Sequence, residues 1–314
     1  TENEWRKWSE RCTYRGRWRD AVMRSLITLK ALTYAPTGGI VAAPTTSLPE
    51  QHGGVRNWDY RYCWLRDATF SLNALLLAGY HEEAIAWREW LLRAIAGSPE
   101  GLQILYSVTG ERRLQEYEVG WLPGYGGAAP VRLGNAASKQ FQLDVYGEVM
   151  DTLHLARTVG LEPEPAAWRV QVTLLQFLES NWQQPDNGIW EMRGPQRHYT
   201  HSKVMAWVAF DRAVKDIETF GLDGPVERWR QVRDAIHAQV CSEGYDAQRN
   251  TFVQFYGAKQ LDASLLLIPQ MGFLPPDDPR VRGTIEAIQR ALVVDGLALR
   301  YETDAEVDAL PSGE

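Results

Sequence analysis

Cysteine is scarce: Cys12, Cys63 and Cys241 are the three in 314 residues. They are too few and too far apart for a disulfide framework or a CxxC metal site. No run of eighteen apolar residues occurs, so no stretch reads as a bilayer-spanning helix. Positive charge is in deficit, with 33 Lys and Arg against 40 Asp and Glu, a formal net charge of −7. That balance argues against nucleic acid and against membrane surfaces as partners. Acidic charge and the lack of a disulfide pattern point to the cytoplasm. No internal repeat of fixed period is visible, which excludes a TPR- or HEAT-type solenoid. The chain opens at Thr1 without a charged-then-apolar leader and stops at Pro311-Ser312-Gly313-Glu314, so both ends are expected to be truncations.

What is abundant is tryptophan, 13 residues, within an aromatic share of 11%. Trp suits a packed core and equally a flat platform for a sugar ring; for any single Trp the core is the plainer expectation. The periodicity predicts helices near 17–33, 67–79, 81–97, 141–158, 164–183, 202–221, 225–240, 261–270 and 279–292, with no βαβ alternation. Residues 1–16 read as the end of a linker helix. Residues 103–119 alternate polar and apolar around Thr109-Gly110 and predict a short hairpin. Short turns alternate with long loops at 34–66, 98–140 and 184–201. This is the pattern of helical hairpins with functional loops gathered on one side.

The long loops hold the unusual residues. In Asn57-Trp58-Asp59-Tyr60-Arg61-Tyr62-Cys63-Trp64-Leu65-Arg66-Asp67, aromatics interleave with two Arg and two Asp. Asp67 falls where a helix N-cap belongs, and a cap plus a surface ion pair would explain it. Arg66 and Asp67 also make a donor–acceptor fork suited to vicinal hydroxyls. In 182–203, the turn Asp186-Asn187-Gly188 presents Ile189-Trp190-Glu191. A lone Glu beside Trp, Ile and Met192 is expected to hold its proton through desolvation, as a general acid requires. Pairing with Arg193 or Arg197 is the structural alternative. His198 and His201 lack a third ligand nearby, so hydrogen-bonded histidines are expected rather than a metal site. At the entry to a later helix, Gln142 and Asp144 suit hydroxyl contacts or capping about equally. Leu299-Arg300-Tyr301-Glu302 offers one more donor.

Together, NWDYRYCWLRD, GIWEMRG with RHYTHSK, and FVQFYGAKQLDASLLLIPQMGFLPPDDP resemble glycoside hydrolase family 15, the family of glucoamylases, glucodextranases and bacterial trehalases. The resemblance runs from about Arg17 to Arg300. It implies an all-α (α/α)6 barrel of helical hairpins, here incomplete, with residues 17–314 as a partial catalytic domain lacking the last helices and an N-terminal β-sandwich. The implied activity is inverting, exo-acting release of glucose from α-glucosidic bonds, glucoamylase-like, with a trehalase as the alternative. Glu191 matches the general acid. Arg66 and Asp67 match the pair that holds glucose, Tyr60 a residue beside the catalytic water, and Trp64 and Trp190 pocket aromatics. Ile189 matches a backbone contact to sugar and Arg300 a further sugar donor. An inverting pair needs carboxyl groups roughly 6.5–9.5 Å apart. The general base is expected outside this chain, since Glu302, Glu306 and Glu314 lack its context. No cofactor or metal is implied; the partner is an α-glucoside. A non-catalytic helical scaffold would instead scatter the Trp through a core, and a terpene cyclase or prenyltransferase would need Asp clusters or zinc, which the sequence does not offer.

Overall fold

The structure is a computed structural model that describes residues 2–95 and 101–302. Among those residues it has ten α-helices and five two-stranded antiparallel ladders. The all-α class therefore stands, with strands confined to the loops. The molecule falls into two compact units, one of residues up to 139 with 152–173, the other of 140–151 with residues from 174 on.

The first unit begins with α1 (Glu2–Glu10) and α2 (Arg19–Ala31). Trp8 of α1 is buried, stacks on Tyr80 at 4.1 Å, and donates its indole N–H to Glu83 at 2.7 Å. Lys30 of α2 reaches the same carboxylate at 2.8 Å. Burial works to raise the Glu83 carboxyl, but Lys30 and Trp8 prevail and hold it below its ordinary value. Around this pair, Trp8, Cys12, Leu26, Leu75, Ala78 and Tyr80 form one apolar cluster.

Strands β1 (Thr46–Pro49) and β2 (Asn57–Asp59) pair, and β3 (Cys63–Trp64) runs directly into α3 (Leu65–Leu77). Leu65, Ala68, Thr69, Leu72, Leu75 and Leu76 line the buried side of α3 at helical spacing. A three-residue turn through Gly79, at φ 90°, leads to α4 (His81–Ala94). Residues 96 and 97, at the end of the expected helix, lie outside the described residues.

The hairpin expected over 103–119 is displaced. β4 (Leu105–Tyr106) pairs with β3, not with a local partner. Residues 107–111 make a tight turn closed by Ser107 N–H to the Glu111 carbonyl at 3.1 Å. The small hairpin of this long loop is β5 (Tyr117–Glu118) with β6 (Arg132–Leu133). The physical reason is burial: Leu105 and Tyr106 are fully buried and pair with the equally buried Cys63 and Trp64, a non-local partnership that alternation does not reveal.

Helices α5 (Asp144–Thr158) and α6 (Pro165–Asn181) contribute residues to both units. In the second unit, α7 (Thr200–Phe220) and α8 (Val226–Glu243) form a helical hairpin, with Gly221 in the left-handed conformation closing α7. Most residues of α7 are buried, the polar Lys203, Asp211, Arg212 and Asp216 among them. Gly147 of α5 meets α7 so closely that a Cβ there would stand 2.1 Å from the Met205 carbonyl oxygen. Beyond lie β7 (Tyr245–Asp246) and β8 (Thr251–Phe252), a 3₁₀ turn at Ala263–Leu266, and α9 (Leu267–Gln270). The helix expected over 261–270 is thus a 3₁₀ turn followed by one α-turn. α10 (Pro279–Ala291) starts with Asp278 as N-cap, its carboxylate accepting from Arg280 N–H at 2.9 Å, and Pro279 at the first position. β9 (Val293–Val294) and β10 (Leu297–Ala298) close the described chain as a hairpin.

Candidate active site

In the first unit, Arg66 and Asp67 occupy the first turn of α3. The N-cap is Trp64, with extended backbone and no side-chain cap. Asp67 is therefore not the capping residue the sequence suggested. Three positions further in, its carboxylate complements the positive helix end and pairs with the Arg66 guanidinium at 3.2 Å. Both side chains are half-buried, so the fork keeps an open side. Thr69 and Ser71 hydroxyls, each donating at 2.8 Å to the carbonyls of Arg66 and Asp67, fix the backbone beneath it.

Tyr60 donates its hydroxyl to Glu50 at 3.2 Å, and the Trp58 indole donates to the same oxygen at 3.1 Å. The Tyr60 ring lies 6.1 Å from that of Trp64, which is buried. The other Arg–Asp pair of this loop serves the scaffold. Arg61 grips the buried Asp59 through two bonds of 2.8 Å, and Asp59 also accepts from Gly134 N–H at 3.1 Å. The same unit exposes Trp121, at 81%, together with Tyr117 and Tyr125.

In the second unit the sequence Asn187-Gly188-Ile189-Trp190-Glu191-Met192 closes on itself. Glu191 N–H donates to the Gly188 carbonyl and Met192 N–H to the Asn187 carbonyl, both at 3.1 Å. These are the two bonds that end a helix in a Schellman motif, where the left-handed residue is usually Gly. Here that residue is Glu191, at φ 59°. A non-glycine residue in this region stores strain, which persists where the surroundings over-determine it. Gln140 does so by donating to the carbonyls of Glu191 and Met192 at 3.0 and 3.1 Å. Asn187 adds a bond to the Met192 carbonyl at 3.1 Å. Ile189 and Met192 are buried, while Glu191 and Trp190 are half-buried.

Gln142 is buried and donates to Gln140 at 3.2 Å, so it stands behind the loop's anchor. Asp144 is buried at the start of α5, near Asp186. Burial, and then the neighbouring Asp144, push the Asp186 carboxyl up; it accepts from Leu143 N–H at 2.9 Å. Lys203, also buried, is pushed down by desolvation. Its ammonium donates to the carbonyls of Trp182 and Gln184 at 2.6 and 2.5 Å.

Arg300 lies over the Trp190 ring at 5.6 Å. On its edge, the Trp190 indole N–H donates to the buried Asp262 at 2.9 and 3.0 Å. Burial pushes the Asp262 carboxyl up against the opposing pull of Ser264, Trp190 and Gln254. Lys203 and Asp262 are what reading the sequence missed. For Asp262 a signal existed, Asp followed by Ser two positions on, the pattern of a local side-chain cap. His198 stacks on Tyr256 at 5.8 Å, and burial pushes its pKa down. Glu302 is exposed; Glu306 and Glu314 lie outside the described residues.

Comparison with known proteins agrees with the motifs. The profile of Glycosyl hydrolases family 15 matches residues 16–314. A trehalase of Mycobacterium tuberculosis is 44% identical over 314 residues, covering 99% of this chain and 46% of that protein. A trehalase of Thermoplasma acidophilum is 41% identical over 305 residues, covering 97% and 52%. The chain thus spans about half the length of the curated relatives it matches. A solved glycosidase in complex with glucose superposes with a TM-score of 0.72 at 20% identity, over 91% of this chain and 73% of that one. A glucoamylase from Saccharomycopsis fibuligera does so at 0.56 and 14% identity, over 79% and 55%. These two likenesses establish the fold, the helical (α/α) class expected from the motifs.

Proposed function

The chain belongs to glycosyl hydrolases family 15, and we propose that it is part of the catalytic domain of a longer trehalase. Its substrate in this reading is the α-glucosidic bond of trehalose. The trehalase relatives, at 41 and 44% identity over nearly the whole chain, support trehalose over the starch-type substrate of the glucoamylase-like reading. The observation that carries the acid assignment is Glu191 itself, held in a left-handed conformation by bonds from its own loop and from Gln140. A stability cost retained at a half-buried carboxylic acid is a mark of function.

In this reading Glu191 donates a proton to the glycosidic oxygen as the bond breaks. Arg66 and Asp67 in the first unit, and Arg300 in the second, are the proposed partners of glucose hydroxyls. Tyr60, Trp64, Trp190 and the Ile189 backbone line its site, with Gln142 and Asp144 contributing polar groups. A carboxylate base outside these 314 residues activates water on the opposite face, giving inversion. No described helix is long and apolar enough to cross a membrane; a cytoplasmic location belongs to the same reading.

The test is Glu191→Gln in the longer protein, assayed on trehalose, maltose, isomaltose and starch with the anomer of released glucose scored. The expected result is hydrolysis confined largely to trehalose by the parent, and a kcat at least about 100-fold lower in the variant with KM little changed. Undiminished turnover in the variant removes Glu191 from the mechanism. A parent that prefers starch returns the reading to a glucoamylase.

A further inference from the structure

We propose that Asp262 is a positioning residue for the acid loop: its carboxylate holds the Trp190 side chain, and through it the backbone at Glu191, in register with Arg300. The inference rests on the reading of Glu191 as the general acid.

Asp262 is 2% exposed, and its carboxylate accepts from Trp190, Ser264 and Gln254. One oxygen accepts from the Trp190 indole at 2.9 Å, Ser264 N–H at 2.8 Å and the Ser264 hydroxyl at 2.6 Å. The other accepts from the indole at 3.0 Å and the Gln254 amide at 3.2 Å. These bonds all run to the carboxylate oxygens, an arrangement that suits a carboxylate better than an amide. The Ser264 bonds are those of an ordinary cap on the 3₁₀ turn at Ala263–Leu266. The bond to Trp190, 72 residues away, is not needed for that cap.

Two further observations give that bond its direction. Asp262 forms an isolated bridge with Tyr301, and Ala263 N–H donates to the Arg300 carbonyl at 2.8 Å. The backbone at 262–263 is thereby tied to the residues that carry the sugar-binding candidate Arg300. The Trp190 ring is then held on one edge by the Asp262 carboxylate and on a face by the Arg300 guanidinium. Trp190 is adjacent to Glu191, whose backbone is already strained. Freeing the indole would let the turn relax toward an unstrained conformation and swing the acid away from the scissile oxygen. A displacement of about 1 Å suffices to cost roughly a hundredfold in rate.

The experiment is a double-mutant cycle in the longer protein: Asp262→Asn, Trp190→Phe and both together, with Glu191→Gln alongside, each assayed for trehalose hydrolysis across pH and for thermal midpoint. Trp190→Phe keeps an aromatic ring but has no N–H to give. We expect Asp262→Asn and Trp190→Phe each to lower kcat tenfold or more with KM changed less than threefold. Both should shift the alkaline limb of the kcat/KM profile, which reports the acid. The double variant should be no slower than the worse single, because both remove the same contact. A role confined to capping predicts losses that track the thermal midpoint, leave the alkaline limb in place and multiply in the double variant; that result overturns the inference. Wild-type kcat in Asp262→Asn beside an inactive Glu191→Gln overturns it too, while leaving the acid assignment intact. An active Glu191→Gln overturns both.

Discussion

The side-chain amide of Gln140 donates to the backbone carbonyl of Glu191 at 3.0 Å, so a neutral residue on a separate segment holds the most strained residue of the acid loop. A left-handed non-glycine residue costs roughly 1 kcal/mol, and Gly removes most of that cost. Glu191→Gly should therefore unfold at a denaturant midpoint equal to or above that of the parent, while trehalose turnover is lost. Glu191→Val, with a branched side chain in the same conformation, should fall below the parent. Glu191→Gly markedly less stable than the parent would mean that the side chain, rather than the backbone, secures this loop.

Gly147 sits in the first turn of α5, where Ala is ordinarily the better helix former, by up to about 1 kcal/mol. Packing decides the other way. A Cβ at 2.1 Å from the Met205 carbonyl oxygen forces α5 from α7 against backbone, not against a pliable side chain. Overpacking of this kind costs about 1–3 kcal/mol or more. Gly147→Ala should lower stability by roughly 2 kcal/mol in equilibrium urea unfolding; a stabilised variant would show that the two helices have room to part.

Alkaline pH should weaken the fold well before it touches the peptide. Burial pushes the Cys63 thiol up to about 12 from an ordinary 9.0, and the Tyr80 hydroxyl up to about 12 from 10.0. In both cases the folded chain keeps a proton that the unfolded chain releases. Their contribution is complete below pH 9 and is lost as pH rises from there toward 12. Each pH unit of that window removes up to about 1.4 kcal/mol per group. Urea midpoints measured between pH 8 and 11 should decline, and Cys63→Ala should flatten the early part of the decline, where Tyr80 still holds its proton in both states. An unchanged slope in Cys63→Ala would place the titration elsewhere.

Local chemistry was legible in the sequence, and long-range partnership was not. Helical spacing alone located α3, whose buried side from Leu65 to Leu76 repeats at three and four residues. The Gly188–Glu191 turn announced itself through Asp186-Asn187-Gly188. Asp67 was misread as a cap because Leu65 and Arg66 already belong to the helix, a shift of three residues set by the pairing of Cys63 and Trp64 with β4. Asp295-Gly296, with φ of 52° and 80°, is the turn of the β9–β10 hairpin and carries the Asp-Gly signature of such turns. Asp262 was illegible as a site residue because its partner lies 72 positions away, and nothing in either local sequence names the other.

The buried ammonium of Lys203, seated on the carbonyl oxygens of Trp182 and Gln184 just past the end of α6, does for that helix what a trapped potassium ion would do. The charge arrives covalently attached and shielded from the medium. Added salt should therefore loosen exposed ion pairs such as Arg6 with Glu2 while leaving this helix end as tight as before, since screening ions cannot reach it.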